Sequence, residues 1–160
     1  MNSQELVQSI TALLSETQIN TDPEALYDAA ADRYKKYAKA RHVLDVPPPV
    51  AIVYPKSSDE VSTLLSFCND NGINVIPRAG KTATEGGLEN WKELTLVIDA
   101  HYLDAIISID EYNMQATVQA GVALQDLEDA LRKVGLTTGH SPQSKPVAKL
   151  GGLVATRSIG

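Results

Sequence analysis

The sequence predicts an α+β fold with a βαβ unit and a small mixed sheet, preceded by a helical N-terminal segment over residues 1–45. Three observations support this prediction. Two short apolar runs, at 50–54 and 73–76, have the length of buried strands, and a stretch with helical periodicity separates them. Two further β-like runs flank a polar turn. Before residue 46, apolar residues recur at helical spacing instead.

Two helices are predicted at the N-terminus. Apolar residues between positions 6 and 14 fall on one helical stripe, with Ser3 as the expected N-cap. Asp22-Pro23-Glu24 supplies the cap, the first-turn proline and the first-turn acid of a second helix, which is expected to run through Tyr37. The basic residues between 33 and 41 could bind phosphate, but a solvated helix face is preferred because the chain is acidic.

The βαβ unit comes next. Pro47-Pro48-Pro49 breaks helix and begins an extended segment that continues into the strand at 50–54. Ser57-x-x-Glu60 is a capping-box signature, and the amphipathic helix that follows it is ended by Gly72. The second strand, at 73–76, follows directly. The pattern therefore predicts a parallel strand pair joined by a crossover helix.

Beyond the loop at 77–93, three β-like runs are predicted at 94–98, 105–109 and 115–119. The last two flank the polar turn Asp110-Glu111-Tyr112-Asn113 and are expected to pair as a hairpin. A helix with apolar residues from Leu124 to Val134 follows, and Gly135 ends it. The rest of the chain shows no helical period, which is typical of either a disordered tail or a loop shaped around a ligand.

Composition excludes several classes of protein. With 14 Lys and Arg against 20 Asp and Glu, the net charge is −6, which argues against a general nucleic-acid binder. The lone Cys68 excludes a disulfide framework, and its place on a helical stripe indicates a small core residue rather than a nucleophile. No apolar run approaches the ~20 residues of a membrane span, and no signal peptide is evident. We expect a soluble, cytoplasmic protein.

Common catalytic and nucleotide-binding motifs are not met. Ile76–Thr82 ends in Gly-Lys-Thr, but a P-loop needs a glycine where Val75 stands and a helix directly after the threonine. Neither a dinucleotide fingerprint nor a serine-hydrolase elbow is present. The three histidines have no paired spacing, so no metal site is predicted, and His140 is interpreted as a structural loop residue.

Two glycine-bearing loops, 77–87 and 139–160, each follow a β region. Glycine lets backbone amides approach a ligand closely and form a nest that holds an anion. For either loop alone, a tight turn is the preferred interpretation. Together they suggest two walls of one phosphate-containing site.

Four motifs recur in one order from about residue 45 to the end: Pro48–Ser57 with its helix, Pro77–Thr82 with Gly86-Gly87, Val118–Val122 with its helix, and Gly139–Ser144 followed by Leu150–Arg157. This series resembles the PCMH-type FAD-binding region of the FAD-linked oxidases. That superfamily includes vanillyl-alcohol oxidase, glycolate oxidase, D-lactate dehydrogenase and alkyl-dihydroxyacetonephosphate synthase, and the fourth motif is most similar to the synthase branch.

The resemblance implies that residues 46–160 are the first portion of such a domain, incomplete at its C-terminus, with FAD as the cofactor. Backbone amides of the first loop would hold the FAD diphosphate, with the Thr82 hydroxyl adding a bond; this group is Pro77, Arg78, Ala79, Gly80, Lys81, Thr82 and Ala83. The flavin and ribityl wall would comprise Gln143, Ser144, Lys149, Gly151, Gly152, Thr156, Arg157, Ser158 and Ile159.

Several positions depart from the family pattern. Ala79 and Lys81 stand where glycines are common, and a positive φ at Lys81 would carry strain of about 1 kcal/mol. Ala148 and Lys149 replace hydroxyl residues of the synthase branch. No histidine stands where this family attaches FAD covalently.

The resemblance implies an FAD-dependent oxidoreductase that takes a hydride from a small hydroxy acid, an alcohol or a related donor. In the family, a further domain binds the donor and brings the catalytic residues, so no catalytic residue is assigned here. The alternative is a truncated or split FAD-binding module with no redox activity of its own. Such a module would pair with a partner chain or with a second copy.

Overall fold

The structure, a computed structural model, describes residues 1–30, 32 and 46–159. They form two compact units: the first unit comprises Met1–Arg78 and Ala83–Asp99, and the second comprises Ala79–Thr82 and Ala100–Gly160. The helices are α1 (Ser3–Leu13), α2 (Pro23–Ala29), α3 (Ser58–Asp70), α4 (Leu124–Arg132) and α5 (Leu150–Ala155). The strands are β1 (Ile19–Asn20), β2 (Ala51–Val53), β3 (Asn74–Arg78), β4 (Thr95–Asp99), β5 (Ile106–Asp110) and β6 (Gln115–Val118). Across the described residues, no helix combines the length and apolar character needed to cross a membrane.

The two N-terminal helices begin close to their predicted starts. The cap of α1 is Asn2 and not Ser3: the Asn2 Oδ1 accepts from the Glu5 N–H, and the Glu5 carboxylate accepts from the Asn2 N–H, both at 2.9 Å. Asp22 caps α2 as predicted, because its carboxylate accepts from the Ala25 N–H at 2.9 Å. The predicted extension of α2 runs to residue 37, and of its residues beyond Ala30 only Asp32 is described. The basic residues at 33–41 lie outside the described residues.

The first unit contains a mixed sheet with the order β1-β2-β4-β3. β1 is antiparallel to β2, whereas β2 and β3 both run parallel to β4. The predicted βαβ unit is present as β2-α3-β3, but the expectation that its two strands pair with each other is wrong, because β4 lies between them. Pro77 is compatible with the edge position of β3, since it has no N–H to donate to a second neighbouring strand.

Both faces of this sheet are covered, which explains why its strands are continuous apolar runs. On one face, alternate residues of β2 and β4 pack with α1 and α3; this cluster is Leu6, Ile10, Leu14, Ala51, Val53, Leu64, Cys68, Ile73, Leu96 and Ile98. On the other face lie Ala29, Ile52, Ile76, Leu88 and Val97. Cys68 is 1% exposed within this cluster, which confirms its predicted core role, and burial raises the pKa of its thiol.

The capping box predicted for α3 forms only by half. The Ser57 Oγ accepts from the Glu60 N–H at 3.1 Å, but the Glu60 carboxylate turns away from the cap. Its Oε2 accepts instead from the Lys56 N–H and from the Gln18 Nε2, both at 2.7 Å. Glu60 thus links the start of α3 to the buried Gln18 of the N-terminal segment. Gly72, with a φ of 66°, ends the helix region as predicted.

The second unit is built on the predicted β5–β6 hairpin and on α4. The strands pair antiparallel, and Asp110 closes the turn by accepting from the Asn113 N–H at 3.0 Å. This bond, followed by that of the Asn113 side chain, lowers the pKa of Asp110. The core beneath the hairpin consists of Val122, Leu127 and Leu131, with Ile106, Ile109, Val118, Leu136 and Leu150 packed against it.

Helix α5 was not predicted, because two adjacent glycines hide its period and have low helix propensity. Tertiary hydrogen bonds start the helix: the Leu150 N–H donates to the Val122 carbonyl at 2.9 Å, and the Gly151 N–H donates to the Ala120 carbonyl at 2.8 Å. The loop interpretation of this stretch is therefore wrong for residues 150–155.

Gly121 allows two backbone segments to approach each other closely. A Cβ at this position would lie 2.0 Å from the Ala100 carbonyl oxygen and 2.7 Å from that of Leu103. We expect Gly121→Ala to lower the free energy of unfolding by about 2 kcal/mol or more, because the overlap is with backbone that cannot rotate away. Chemical denaturation measures this loss.

Gly135→Ala is the control for that substitution. Gly135 has open space around it but a φ of 75°, so alanine there should cost roughly 1 kcal/mol of conformational strain alone. An equal or smaller loss for Gly121→Ala would show that the close approach is not rigid.

Candidate functional site

Within the second unit, the segment Ala79–Thr82 lies against the backbone of residues 147–149. A Cβ on Gly80 would stand 2.5 Å from the Val147 carbonyl oxygen and 3.0 Å from the Lys149 nitrogen. Only a residue without a side chain fits there. The two glycine-bearing loops of the sequence therefore do meet, at a backbone-to-backbone contact around Gly80.

We call residues 79–82 the donor segment, because their backbone N–H groups have no acceptor among the described residues. Among the described residues, none accepts a hydrogen bond from the N–H groups of Ala79, Gly80, Lys81 or Thr82, nor from the Thr82 hydroxyl. Three of these four residues are half-buried, Lys81 being the exposed one. Backbone donors at such positions need a partner, and consecutive N–H groups are suited to an anion.

The two residues before this segment belong to β3 in the first unit. Pro77 has no N–H, so the expectation that it donates a backbone bond to a diphosphate is wrong. The Arg78 side chain is buried, and its Nε donates to the Asp99 Oδ2 at 2.6 Å. The guanidinium is therefore engaged in an ion pair between neighbouring strands.

The remainder of the first loop, from Ala83 on, also belongs to the first unit. Gly86 there has a φ of 83°, and its N–H donates to the buried Asp32 carboxylate at 2.6 Å. The predicted wall at 77–87 is thus divided between the two units. Only its segment 79–82 shares a unit with the second predicted wall.

Two predicted site residues have left-handed backbones that usually require glycine. Lys81 has a φ of 56°, as anticipated for a residue in a family glycine position. Arg157 has a φ of 50° and follows α5, where the Ser158 N–H donates to the Leu153 carbonyl at 2.9 Å. That bond forms the helix ending in which glycine is preferred. Both residues are cationic, and both are strained.

Several members of the second wall use their polar groups within the chain. The Gly151 N–H donates to Ala120, and its Cβ position is only 2.7 Å from the Ala120 Cβ, so Gly151 is a packing residue. The Thr156 hydroxyl donates to the Gly152 carbonyl at 2.8 Å. The Ser158 hydroxyl lies 3.3 Å from the His140 Nε2, which agrees with a structural role for this histidine.

The other members of this wall differ in exposure. Gln143 and Ile159 are exposed, whereas Ser144 and Lys149 are half-buried. Apart from its chain neighbours and the backbone of its own helix, no described residue lies within 4 Å of the Gly152 Cβ position.

Sequence reasoning missed a buried carboxylate that organises this wall. Glu128 on α4 is 2% exposed and accepts from the Thr138 N–H at 2.6 Å and from the hydroxyls of Thr137 and Thr138. Lys145 forms an ion pair with it at 3.5 Å. The sequence does contain a signal for this carboxylate. Positions 124, 127, 128 and 131 lie on one buried stripe of the helix, and Glu128 is the charged residue among three leucines.

These donors keep Glu128 ionised. The Thr138 hydroxyl bond, the Thr138 N–H and the Thr137 hydroxyl, together with Lys145, lower its pKa to about 2, against the opposing effect of burial. Within the described ranges, no group of three His, Cys, Asp or Glu side chains is placed to hold a metal ion.

Comparison with known proteins identifies the family. The family described as "FAD binding domain" matches residues 49–160. The chain belongs to this FAD-binding family. FAD is its cofactor. The N–H groups of residues 79–82, from which no described residue accepts a hydrogen bond, have the polarity that binding of an anionic diphosphate requires.

Three relatives show what this chain is similar to. The "Uncharacterized FAD-linked oxidoreductase YgcU" of Escherichia coli K12 is 46% identical over 155 residues, covering 97% of this chain and 32% of the relative. Alkyldihydroxyacetonephosphate synthase of Caenorhabditis elegans is 36% identical, covering 70% of this chain and 19% of the relative. "D-lactate dehydrogenase [cytochrome] 1, mitochondrial" of Saccharomyces cerevisiae is 31% identical, covering 89% of this chain and 25% of the relative. The chain thus spans a third or less of these relatives.

Solved structures confirm the predicted PCMH-type fold. A crystal structure of alkyldihydroxyacetonephosphate synthase matches with a TM-score of 0.88 at 28% identity, covering 98% of this chain and 30% of that protein. A p-cresol methylhydroxylase structure matches with a TM-score of 0.80 at 19% identity, covering 98% and 30% respectively, which supports the fold alone.

The stability that Glu128 contributes should depend on pH in a defined direction. Because its pKa is lower in the folded chain, the contribution is complete above the ordinary value of 4.5 and is lost as pH falls toward about 2. We expect Glu128→Gln to be less stable than the unaltered chain by a constant amount, roughly 2 kcal/mol, from pH 5 to 8. Below pH 4.5 the difference should narrow, as measured by denaturation at each pH.

Asp129→Asn is the matched control, since Asp129 is the exposed neighbouring carboxylate on the same helix. Its stability difference should be small throughout. A Glu128→Gln difference that widens in acid would contradict the assignment of an ionised Glu128.

Proposed function

We propose that the segment Ala79–Thr82, with Ala83 after it, holds the FAD diphosphate, and that the residues assigned between Gln143 and Ile159 line the flavin and its ribityl chain. The observation that carries this proposal is a run of four consecutive N–H groups, at residues 79–82, for which no described residue is the acceptor, in a segment that contacts residues 147–149 at Gly80. In this proposal residues 46–160 form the first portion of the FAD-binding domain, behind a helical segment at 1–45.

The charge and shape of the segment support this assignment. Hydrogen bonds from backbone N–H groups to an ionised acceptor are about twice as strong as neutral ones, and partial burial strengthens them further. Lys81 adds a positive charge within the same segment, and the Thr82 hydroxyl adds a donor. Strained backbone is typical of ligand sites, and Lys81 and Arg157 both have it.

For the whole protein, we propose an oxidoreductase that takes a hydride from a small hydroxy acid, an alcohol or a related donor. The yeast relative is named for D-lactate, which supports a hydroxy acid as the first donor to test. FAD, when bound, supplies the hydride acceptor, while the residues described here bind and orient it. Donor-binding and catalytic residues would come from a further domain or a partner chain.

Gly80→Ala should weaken FAD binding by about tenfold or more, because the new methyl group displaces the donor segment from residues 147–149. The measurement is a fluorescence titration of FAD into the purified apoprotein. Gly135→Ala is the control: it strains the backbone at the end of α4 and leaves the donor segment unchanged. Equal affinity for both variants would exclude this segment from the FAD site.

Adding hydroxy acids and alcohols anaerobically to the FAD-loaded full-length protein tests the reaction class. We expect one such donor to bleach the oxidised flavin absorbance. FAD that stays bound and oxidised with every donor would favour the alternative, an FAD-binding module without redox activity.

A further inference from the structure

The loop from Thr137 to Lys149 runs from the end of α4 to the backbone that contacts Gly80. One carboxylate binds this loop near both ends. Glu128 accepts from Thr137 and Thr138 at the beginning of the loop and pairs with Lys145 toward its end. We call these four residues the Glu128 clamp.

At the beginning of the loop, the clamp extends beyond its own members. Each threonine hydroxyl donates to Glu128, which leaves its oxygen free to accept. The Gly139 N–H donates to the Thr137 Oγ1 at 3.1 Å, and the His140 N–H donates to the Thr138 Oγ1 at 3.2 Å. One ionised group therefore determines the direction of two hydroxyls and the path of four consecutive residues.

At the other end of the loop, the clamp lies close in sequence to residues 147–149, whose backbone contacts Gly80. The Lys145 carbonyl accepts from the Gln125 N–H at 3.3 Å, and the Lys145 ammonium reaches Glu128. The next residues continue directly into the wall: the Ser144 carbonyl accepts from the Val147 and Ala148 N–H groups at 2.9 and 2.8 Å. Val147 is the residue whose carbonyl lies closest to Gly80.

We propose that Glu128 is a positioning residue for FAD, which it serves through the clamp without touching the cofactor. Its carboxylate holds the loop at 137–149 in the shape that places residues 147–149 beneath the donor segment. This inference rests on the proposed role of the segment Ala79–Thr82 in binding the diphosphate.

The chemistry of the position favours this role over packing alone. Glu128 stands on the apolar stripe of α4, where a leucine would be buried without desolvating a charge. A buried carboxylate that loses its donors carries a large desolvation cost, so loop conformations that remove Thr137, Thr138 or Lys145 from Glu128 are disfavoured. Lys145 also offsets the negative charge, as does Arg132 from 4.0 Å, which limits repulsion of an anionic ligand held by the same unit.

Glu128→Gln tests the proposal in the full-length protein, with Asp129→Asn as the matched charge control on the exposed side of α4. We expect FAD affinity to fall about tenfold or more in Glu128→Gln and to remain unchanged in Asp129→Asn, because only the first change removes the ionised acceptor that binds the loop. Affinity is titrated at a temperature at which each FAD-free variant is folded.

Hydrogen exchange supplies a readout that global destabilisation would not reproduce. In FAD-free Glu128→Gln, the amides of residues 138–140 should exchange faster than in Gly135→Ala, which is also destabilised but leaves the clamp intact. Saturating FAD should restore part of their protection. Unchanged exchange at these amides, or unchanged FAD affinity, would overturn the positioning role.

If Glu128→Gln does not fold, two substitutions of Thr138 test the positioning role instead. Thr138→Val removes the hydroxyl at constant shape, while Thr138→Ser keeps it, so FAD affinity should fall in the first variant and recover in the second. Equal affinity in both overturns the clamp. Failure of the unaltered protein to bind FAD would overturn the proposed function and, with it, the positioning role of Glu128. Wild-type FAD affinity in every clamp variant would overturn the positioning role alone.

Discussion

Close backbone approach is the constraint on which the second unit depends. At Gly80, Gly121 and Gly151, a Cβ would stand between 2.0 and 2.7 Å from its nearest neighbour. Glycine alone permits these distances. The donor segment therefore packs against residues 147–149, Gly121 against residues 100 and 103, and α5 against residue 120. At Gly80 the donor segment lies on residues 147–149, and none of the described residues accepts a hydrogen bond from the N–H groups of residues 79–82.

Buried charge has a different role in each unit. In the first unit, Arg78 and Asp99 pair across neighbouring parallel strands, where the apolar faces of the sheet end. In the second unit, Glu128 receives donors from a loop and thereby gives the loop a single path. Neither the Arg78–Asp99 ion pair nor the Glu128 carboxylate adds to the apolar core, and burying each of them carries a large desolvation cost. Each charge is instead associated with a segment that the sequence marks as part of a cofactor site.

Local sequence signals predicted most elements but not their arrangement. The caps of α2 and α3, the glycine after α3 and the β5–β6 turn follow from residues within one turn of each other, so they could be read directly. Strand order could not, because β2 and β3 carry equivalent apolar patterns and nothing local states that β4 lies between them. Helix α5 was missed for a related reason, since backbone bonds to residues 120 and 122 start it despite weak propensity.

By itself, the sequence determined the α+β class, the family and the FAD cofactor, because these can be recognised from the order and spacing of motifs along the chain. The tertiary structure decided which candidate residues can bind: the Gly151 N–H and the Thr156 hydroxyl donate within the chain, whereas no described residue accepts from the amides of residues 79–82. It also revealed Glu128, whose partners lie nine to seventeen residues away. Side-chain burial and the pairing of distant backbone arise only when the chain is folded, so periodicity and spacing do not encode them.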